Sequence, residues 1–195
     1  MNIKKTSILL LDFTIKRLAE IFGAVISVTG IMLFVALATY TPDDPNFIFP
    51  DNNVIKNLLG FKGSFVSDLF FQSLGLTSYL VSFTFFITGI NIFKIKEFFL
   101  IIENIFFSIL YSIFGTLFLT HFYSKGYSLY INGNGGFVGN YLNQTFLGTL
   151  ININEILFYY ILISLIIFLF LVSIRFNPKK FGLSIKKNIL FILQK

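Results

Sequence analysis

Four stretches of the chain contain no Asp, Glu, Lys or Arg, and each is long enough to cross a membrane as a helix. They cover residues 21–42, 69–93, 104–124 and 156–174. A helix that crosses the hydrocarbon of a bilayer needs about 20 apolar residues, because each residue adds ~1.5 Å along a path of ~30 Å. The runs are continuously apolar and do not alternate with polar residues, which favours helices over a β-barrel. The pattern predicts an all-α membrane protein with four transmembrane helices in contact with the lipid bilayer.

The composition agrees with this prediction and excludes several other classes of protein. Of the 195 residues, 55% are hydrophobic and only 12% are charged, whereas a soluble domain usually carries about 25% charged residues. Phenylalanine is unusually frequent, with 28 residues, and tryptophan is absent. The chain has no cysteine, which excludes a disulfide-stabilised secreted domain and any chemistry that needs a thiol.

The distribution of basic residues predicts the orientation of the four helices. Residues 1–20 hold four Lys and Arg, the short loop 94–103 holds two, and residues 175–195 hold six, so twelve of the fifteen lie on one side. Basic residues accumulate on the cytoplasmic side of a membrane. We therefore expect both termini in the cytoplasm, with 1–20 as a cytoplasmic N-terminal segment, 21–174 as the membrane domain and 175–195 as a basic cytoplasmic tail or the start of a linker.

The first span has an alternative interpretation as a signal peptide. Ala36, Leu37 and Ala38 follow a basic segment and an apolar run, which is the arrangement of a signal-peptide cleavage site. The apolar run continues unbroken to Pro42 and reaches the length of a span, which favours a transmembrane helix. Cleavage stays open as the alternative.

The two predicted outer loops share a short pattern. Residues 63–69 and 135–141 align as Gly, small, Phe, Val, small, polar, apolar, which indicates either a duplicated helix–loop–helix unit or a chance match. Apolar residues from Phe137 to Leu150 recur at near-helical spacing and predict one amphipathic helix. We expect short amphipathic helical segments in both outer loops, and we expect the loops to pack together.

Three further predictions concern polar and charged residues near the membrane. Asp43 and Asp44 lie in a proline-flanked turn that ends the first span, and adjacent carboxylates in such a turn are usually solvated. Glu103 is expected to pair with Lys94 or Lys96. Apolar residues near Ile185 predict a basic surface helix in the tail.

The spans contain no group that indicates transport or catalysis. None of the four cores contains Asp, Glu, Lys or Arg, which disfavours a small transporter or channel subunit, although this stays an alternative. The polar residues inside the spans are expected to form hydrogen bonds between helices. The chain has one histidine, His121, so a zinc site built from several histidines is excluded. The glycine-rich run 132–139 lacks the Gly-Lys-Ser/Thr of a nucleotide-binding loop. We predict no catalytic residue, cofactor or metal.

The two outer loops contain four short motifs that together resemble those of a known protein family. Residues 39–45 read Thr-Tyr-Thr-Pro-Asp-Asp-Pro, Asn57 precedes a segment that contains Gly63, Asp68 opens an Asp-Leu-Phe, and 135–142 read Gly-Gly-Phe-Val-Gly-Asn-Tyr-Leu. The identity and order of these motifs resemble those of the N-terminal four-helix membrane domain of FtsK-type (FtsK/SpoIIIE family) DNA translocases. The resemblance extends from about Arg17 to Arg175. The residues that carry the resemblance are Tyr40, Pro42, Asp44, Pro45, Asn57, Gly63, Asp68, Gly135, Gly136 and Gly139.

The resemblance implies a multi-pass anchor in the bacterial inner membrane, at the division septum. In that family the domain tethers a hexameric, ATP-driven motor that moves chromosomal DNA, and it contacts division proteins through its spans and outer loops. A homo-oligomer, a hexamer by resemblance, is therefore expected. The chain contains no Walker motif, so we expect no enzymatic activity here, and DNA and ATP would be partners only of a motor domain. The sequence is then either a fragment of a longer translocase or a protein whose motor is a separate chain. A membrane scaffold unrelated to division is the other alternative.

Overall fold

The described part of the computed structural model comprises residues 3–45, 54–124 and 131–179, and its regular secondary structure is entirely helical. It contains seven α-helices: α1 (Ile3–Ala38), α2 (Gly60–Leu74), α3 (Ser78–Ile95), α4 (Leu100–Tyr123), α5 (Gly136–Asn143), α6 (Phe146–Ile153) and α7 (Glu155–Ser173). A 3₁₀ turn, Gly75–Thr77, joins α2 to α3. Within these ranges there is no strand. The surface helix predicted near Ile185 lies outside the described residues.

The four long apolar segments are Ile8–Ala38, Gly60–Ile95, Leu100–Tyr123 and Glu155–Ser173. The prediction of an all-α fold with four helices able to cross a membrane is confirmed. Many apolar side chains on these helices are exposed, as expected of surfaces that face lipid.

The long helices pack as antiparallel neighbours in the order α1, α3, α4 and α7. Near the end of α1, the Leu37 carbonyl accepts a hydrogen bond from Tyr79 Oη at the start of α3 (3.2 Å). The bundle therefore has two ends. We call the end that holds the last turn of α1 and the first turn of α7 the loop end, and the opposite end, where α3 ends and α4 begins, the terminal end.

Helix α2 lies across the loop end and does not continue straight into α3. Phe71, near the end of α2, packs on Leu33 and Leu37 of α1, the same level of α1 that Tyr79 contacts at the start of α3. The crossing helix is thus α3, whose 18 residues span ~27 Å. The predicted span 69–93 joined the end of α2 to α3, because absence of charge does not reveal the break at Gly75, where φ is +58°.

Helix α1 begins much earlier than the predicted span at residue 21. It is helical from Ile3, because no glycine or proline interrupts residues 3–20. The charged side chains pair along the helix surface, with Lys16 Nζ 2.7 Å from Asp12 Oδ2. Ala36 and Leu37, the possible signal-peptide site, are helical and almost fully buried.

The amphipathic helix predicted over Phe137–Leu150 is two helices instead of one. Helix α5 ends at Asn143, and Thr145 then caps α6 by accepting a hydrogen bond from Leu147 N at its Oγ1 (3.3 Å). Asn154 caps α7 in the same way, with its Oδ1 accepting from Leu157 N (3.1 Å). Periodicity alone misses the break, since the apolar spacing continues across the caps.

Helices α1 and α3 meet along a seam of small residues that sequence reasoning missed. A β-carbon on Gly23 would lie 2.6 Å from the backbone nitrogen of Phe93 and 2.7 Å from the carbonyl oxygen of Gly89. One turn further along α1, Ser27 Oγ donates to the Phe86 carbonyl (3.1 Å). Small residues let membrane helices approach closely. The available signal was Gly23, Ser27 and Gly30 at intervals of four and three residues.

Polar side chains join the helices inside the bundle, as predicted. Tyr111 Oη of α4 lies 2.9 Å from Thr84 Oγ1 of α3, and Thr84 Oγ1 lies 3.3 Å from Ser173 Oγ of α7. Asn104 Nδ2 donates to Thr88 Oγ1 (2.8 Å). Other members of the predicted set bond within their own helix instead, among them Ser82, Thr116 and Ser164.

Ion pairs connect the helices at the terminal end. Lys96 Nζ lies 2.7 Å from Glu20 Oε1, which joins the end of α3 to α1. Glu103 at the start of α4 pairs with Arg175 beyond α7. The predicted pairing of Glu103 with Lys94 or Lys96 is therefore wrong, because α3 packs on α1 and brings Lys96 to Glu20 instead.

We predict that Gly23→Leu destabilises the bundle, because the side chain would collide with the α3 backbone. Overpacking of this kind usually costs about 1–3 kcal/mol, measurable as a lower free energy of unfolding by SDS titration in mixed micelles. The matched control is Ala24→Leu, since Ala24 is exposed on the same turn. Equal stability of the two variants would contradict the close contact between α1 and α3.

Candidate functional site at the loop end

The motif residues of the first loop meet at the loop end in one polar cluster. We call it the motif cluster, and its members are Tyr40, Asp44, Pro45, Asn57, Gly63 and Asp68. A turn brings the chain out of α1, with Asp44 N donating to the Thr41 carbonyl (3.1 Å). Pro42 is exposed at the second position of that turn, where the fixed φ of proline suits a tight turn. Pro42 therefore shapes the turn and lies outside the cluster.

Asp44 is buried, and its carboxylate holds the backbone of the returning chain. The side chain is only 3% exposed; Oδ1 accepts from Lys56 N and Oδ2 accepts from Asn57 N, both at 2.8 Å. The expectation that both aspartates are solvated is wrong for Asp44, because these two amides replace water. Asp43 is 77% exposed, with Lys56 Nζ 3.7 Å away.

Asn57 connects the end of α1 to the start of α2. Its Nδ2 donates to the Ala36 carbonyl (2.9 Å), one of the carbonyls that lack a partner in the last turn of a helix. Its Oδ1 accepts from Leu59 N (3.1 Å) just before α2. Gly63 leaves room for this side chain, since a β-carbon there would lie 3.1 Å from Asn57 Cγ. The amide and the glycine thus act as a pair.

Asp68 and Tyr40 close the other side of the cluster. Tyr40 Oη donates to Asp68 Oδ1 (2.9 Å), and the ring of Tyr40 packs on that of Phe71 with centroids 4.9 Å apart. Ser64 Oγ donates to the Pro45 carbonyl (2.9 Å). Taken together, the contacts of the motif cluster therefore join α1, the first loop and α2 to one another.

The glycines of the second loop lie beside this cluster, at the junction of α2 and α3. Leu76 N donates to the Asn134 carbonyl (2.9 Å), and α2 contacts α5, so the second loop packs on α2 and on its junction with α3. A β-carbon on Gly136 would lie 2.6 Å from the carbonyl carbon of Ser73. Gly135 and Gly139 lie against α4, where substituents would meet Thr116 and Thr120. At each of the three motif glycines, the backbone of the second loop therefore lies in close contact with a neighbouring segment.

Both segments of the shared sequence pattern are helical at the loop end. Residues 63–69 lie in α2, whereas 135–141 form the start of α5, and the two helices contact each other. His121, at the end of α4, has its Nδ1 2.8 Å from Asn143 Oδ1 of α5. The side chain thus takes part in the packing of the second loop.

Exposed apolar side chains lie at the loop end, above the buried clusters. In the ranges that the structure describes, no group of three His, Cys, Asp or Glu could hold a metal ion. Above the buried clusters, Phe137 and Tyr141 of α5 are 63% and 62% exposed, and their rings stack with centroids 6.5 Å apart. Together with Ile131, which is 77% exposed, they form what we call the loop-end apolar surface.

Sequence motifs identified the positions in this region but not the partners that they hold. Nothing in the sequence marked the Ala36 carbonyl as the acceptor for Asn57, or Ser64 as the donor to Pro45. The only available signal for Ser64 and Ser67 was the recurrence of small polar residues on one side of α2.

The chain matches the family model described as the 4TM region of DNA translocase FtsK/SpoIIIE, over residues 15–182. This range contains every residue of the motif cluster and the three motif glycines. No solved structure matches the chain.

Curated relatives match a shorter part of the chain. DNA translocase FtsK of Azospirillum brasilense is 38% identical over 72 residues, which are 36% of this chain and 11% of that protein. DNA translocase FtsK of Caulobacter vibrioides is 33% identical over 73 residues, 37% of this chain and 9% of the relative. The protein of the same name from Rickettsia prowazekii is 31% identical over 72 residues, 37% of this chain and 10% of the relative. The matched region thus spans about a tenth of each relative.

We predict that Asp44→Asn destabilises the protein far more than Asp43→Asn. The first variant replaces one acceptor oxygen by an amide group that faces a backbone N–H, and a hydrogen bond to a buried charged group contributes about 1.5–3 kcal/mol. The second removes an exposed ion pair worth less than ~1 kcal/mol. Unfolding by SDS titration measures both, and hydrogen exchange at the amides of Lys56 and Asn57 should accelerate only in Asp44→Asn. Equal effects would show that Asp44 does not hold this backbone.

Proposed function

The chain belongs to the family of the 4TM region of DNA translocase FtsK/SpoIIIE, and from this premise we propose that it anchors a chromosome-segregation motor at the division septum. The family match and the four apolar helices make it the membrane domain of an FtsK-type DNA translocase, a multi-pass protein of the bacterial inner membrane. Tethering at the septum is the proposed role of this domain.

The observation that carries the proposal is the extent of the family match. It covers residues 15–182, which include α2 to α7 entirely and most of α1. The matching family describes the membrane region and not the ATPase motor. DNA and ATP are therefore proposed as partners of a motor domain outside this sequence, and no catalytic step is assigned to these residues.

The internal bonding of the domain fits the task of an anchor. Inside the bundle, the neighbouring long helices meet at the glycine seam of α1 and α3, at the hydroxyl and amide bonds from α3 to α4, and at the packing of Phe118 on Tyr159 between α4 and α7. These interior contacts contain no charged group, whereas the ion pairs lie at the terminal end. Such a bundle can hold its shape while load is applied to one end.

The proposed orientation places the terminal end and both termini in the cytoplasm, with the loop end on the periplasmic side. It is supported by the twelve basic residues in 1–20, 94–103 and 175–195 against three elsewhere. In this orientation the chain leaves α7 on the side where a DNA motor has to work.

Division proteins are the proposed partners of the loop-end apolar surface. Phe137 and Tyr141 are exposed aromatic residues held on a short helix whose position is fixed by the motif glycines. Aromatic side chains on a rigid support are typical centres of protein interfaces. Self-association, as a hexamer by family resemblance, is proposed for the exposed apolar face of α1.

The orientation predicts which single cysteines a membrane-impermeant maleimide can label. The chain has no natural cysteine, so Ile131→Cys and Phe99→Cys each introduce one thiol at a site that is 77% or 81% exposed. In spheroplasts, Ile131→Cys should label at once, whereas Phe99→Cys should label only after permeabilisation. The reverse result would invert the proposed orientation.

The septal role predicts the distribution of a fluorescent fusion in dividing cells. The wild-type fusion should be enriched at the septum, and Phe137→Ala with Tyr141→Ala should reduce that enrichment severalfold without loss of membrane insertion. The matched control is Ile167→Ala with Phe168→Ala, two exposed residues of α7 that should leave localisation unchanged. Uniform membrane fluorescence of the wild-type fusion would argue against the septal role.

A further inference from the structure

Helix α2 forms the roof of an apolar groove between α1 and α3. The groove has a volume of about 380 Å³. Met32 and Ala36 of α1 line one side, Leu59, Val66 and Phe70 line the roof, and Phe85 of α3 closes the back. Val66 and Phe70 are four residues apart, which places them on one face of α2, and Leu59 directly precedes that helix.

The groove lies in the loop-end half of the bundle, beside the last turns of α1. Its lining residues on α1 run from Thr29 to Ala36, a rise of ~10 Å along the helix. Half of a bilayer's hydrocarbon is about 15 Å thick. Thr29 also lines the groove, but its Oγ1 donates to the Val25 carbonyl (3.0 Å). This hydroxyl group is therefore already hydrogen-bonded within α1.

A single cation lies at the mouth of the groove. Lys62 lines it at the start of α2 and is exposed, and it forms no ion pair with any residue in the described ranges. The neighbouring acids Asp44 and Asp68 are engaged by backbone amides and by Tyr40. Lys62 is therefore available to an anion at the surface of the loop end.

We propose that this groove is a binding site for an anionic phospholipid. One acyl chain fills the groove beneath α2, and the ammonium group of Lys62 contacts the phosphodiester of the headgroup. The apolar lining suits the chain, while the positive charge at the surface suits the phosphate and selects against lipids without net negative charge. The site rests only on the membrane location of the bundle and is independent of any septal role.

The test uses the absence of natural tryptophan from the chain. Phe70→Trp places one fluorophore in the groove, and Phe168→Trp places one on the exposed surface of α7. Each full-length variant is reconstituted in vesicles of phosphatidylglycerol and phosphatidylcholine, with brominated acyl chains on only one of the two lipids. Bromine quenches tryptophan on contact, so quenching reports which lipid is adjacent.

Brominated phosphatidylglycerol should be preferred at Phe70→Trp by about fivefold over brominated phosphatidylcholine, with no preference at Phe168→Trp. Adding Lys62→Gln should abolish the preference at Phe70→Trp while circular dichroism stays unchanged. Val66→Trp repeats the measurement at a second position of the roof, in case Phe70→Trp misfolds. Equal quenching by both lipids in the groove would overturn the proposal. Absence of quenching by either lipid would also overturn it, because a second copy or a partner helix would then fill the groove.

Discussion

The lipid bilayer cannot satisfy backbone polar groups, and the architecture of the loop end follows from this constraint. Where α1 ends, the Ala36 carbonyl has no partner within the helix, and the amide of Asn57 supplies one. That bond returns the chain to the bundle and fixes where α2 begins. Asp44 then accepts hydrogen bonds from the backbone amides of Lys56 and Asn57, where the chain returns to the bundle. The motif residues are thus explained by the need to turn a chain at a membrane surface without leaving its backbone unpaired.

The position of α2 has consequences for the rest of the molecule. Because Asn57 starts the helix beside α1 and Gly75 ends it beside the second loop, α2 must cross over the bundle. Its upper side is then available to the second loop, and its lower side covers the gap between α1 and α3. The contact of α2 with the second loop and the apolar groove beneath α2 therefore both result from the position of this one helix.

The sequence predicted the features that depend on composition, such as the transmembrane spans. It did not predict the features that depend on contacts between distant parts of the chain. The four spans follow from long uncharged runs. Burial of Asp44 could not be predicted, since a carboxylate beside prolines is normally solvated and only the distant amides of 56 and 57 stabilise it inside. The break at Gly75 was hidden because the residues on both sides are apolar. The seam at Gly23 was visible in the sequence as a regular spacing of small residues. That spacing did not reveal that α3 is the helix that packs against them.

The terminal end shows how a load would enter the bundle if the chain anchors a motor. Arg175 lies directly after α7 and pairs with Glu103 at the start of α4, and Lys96 after α3 pairs with Glu20 of α1. Exposed ion pairs contribute little to stability, but these two connect neighbouring helices at the terminal end. A pull on the chain beyond α7 would first reach the Arg175 pair and then α4. From α4 it would pass to α3 through Asn104 and Tyr111, whose hydrogen bonds are shielded from water. The contacts that resist such a pull therefore form a lateral path through the bundle, from α7 to α4 and then to α3.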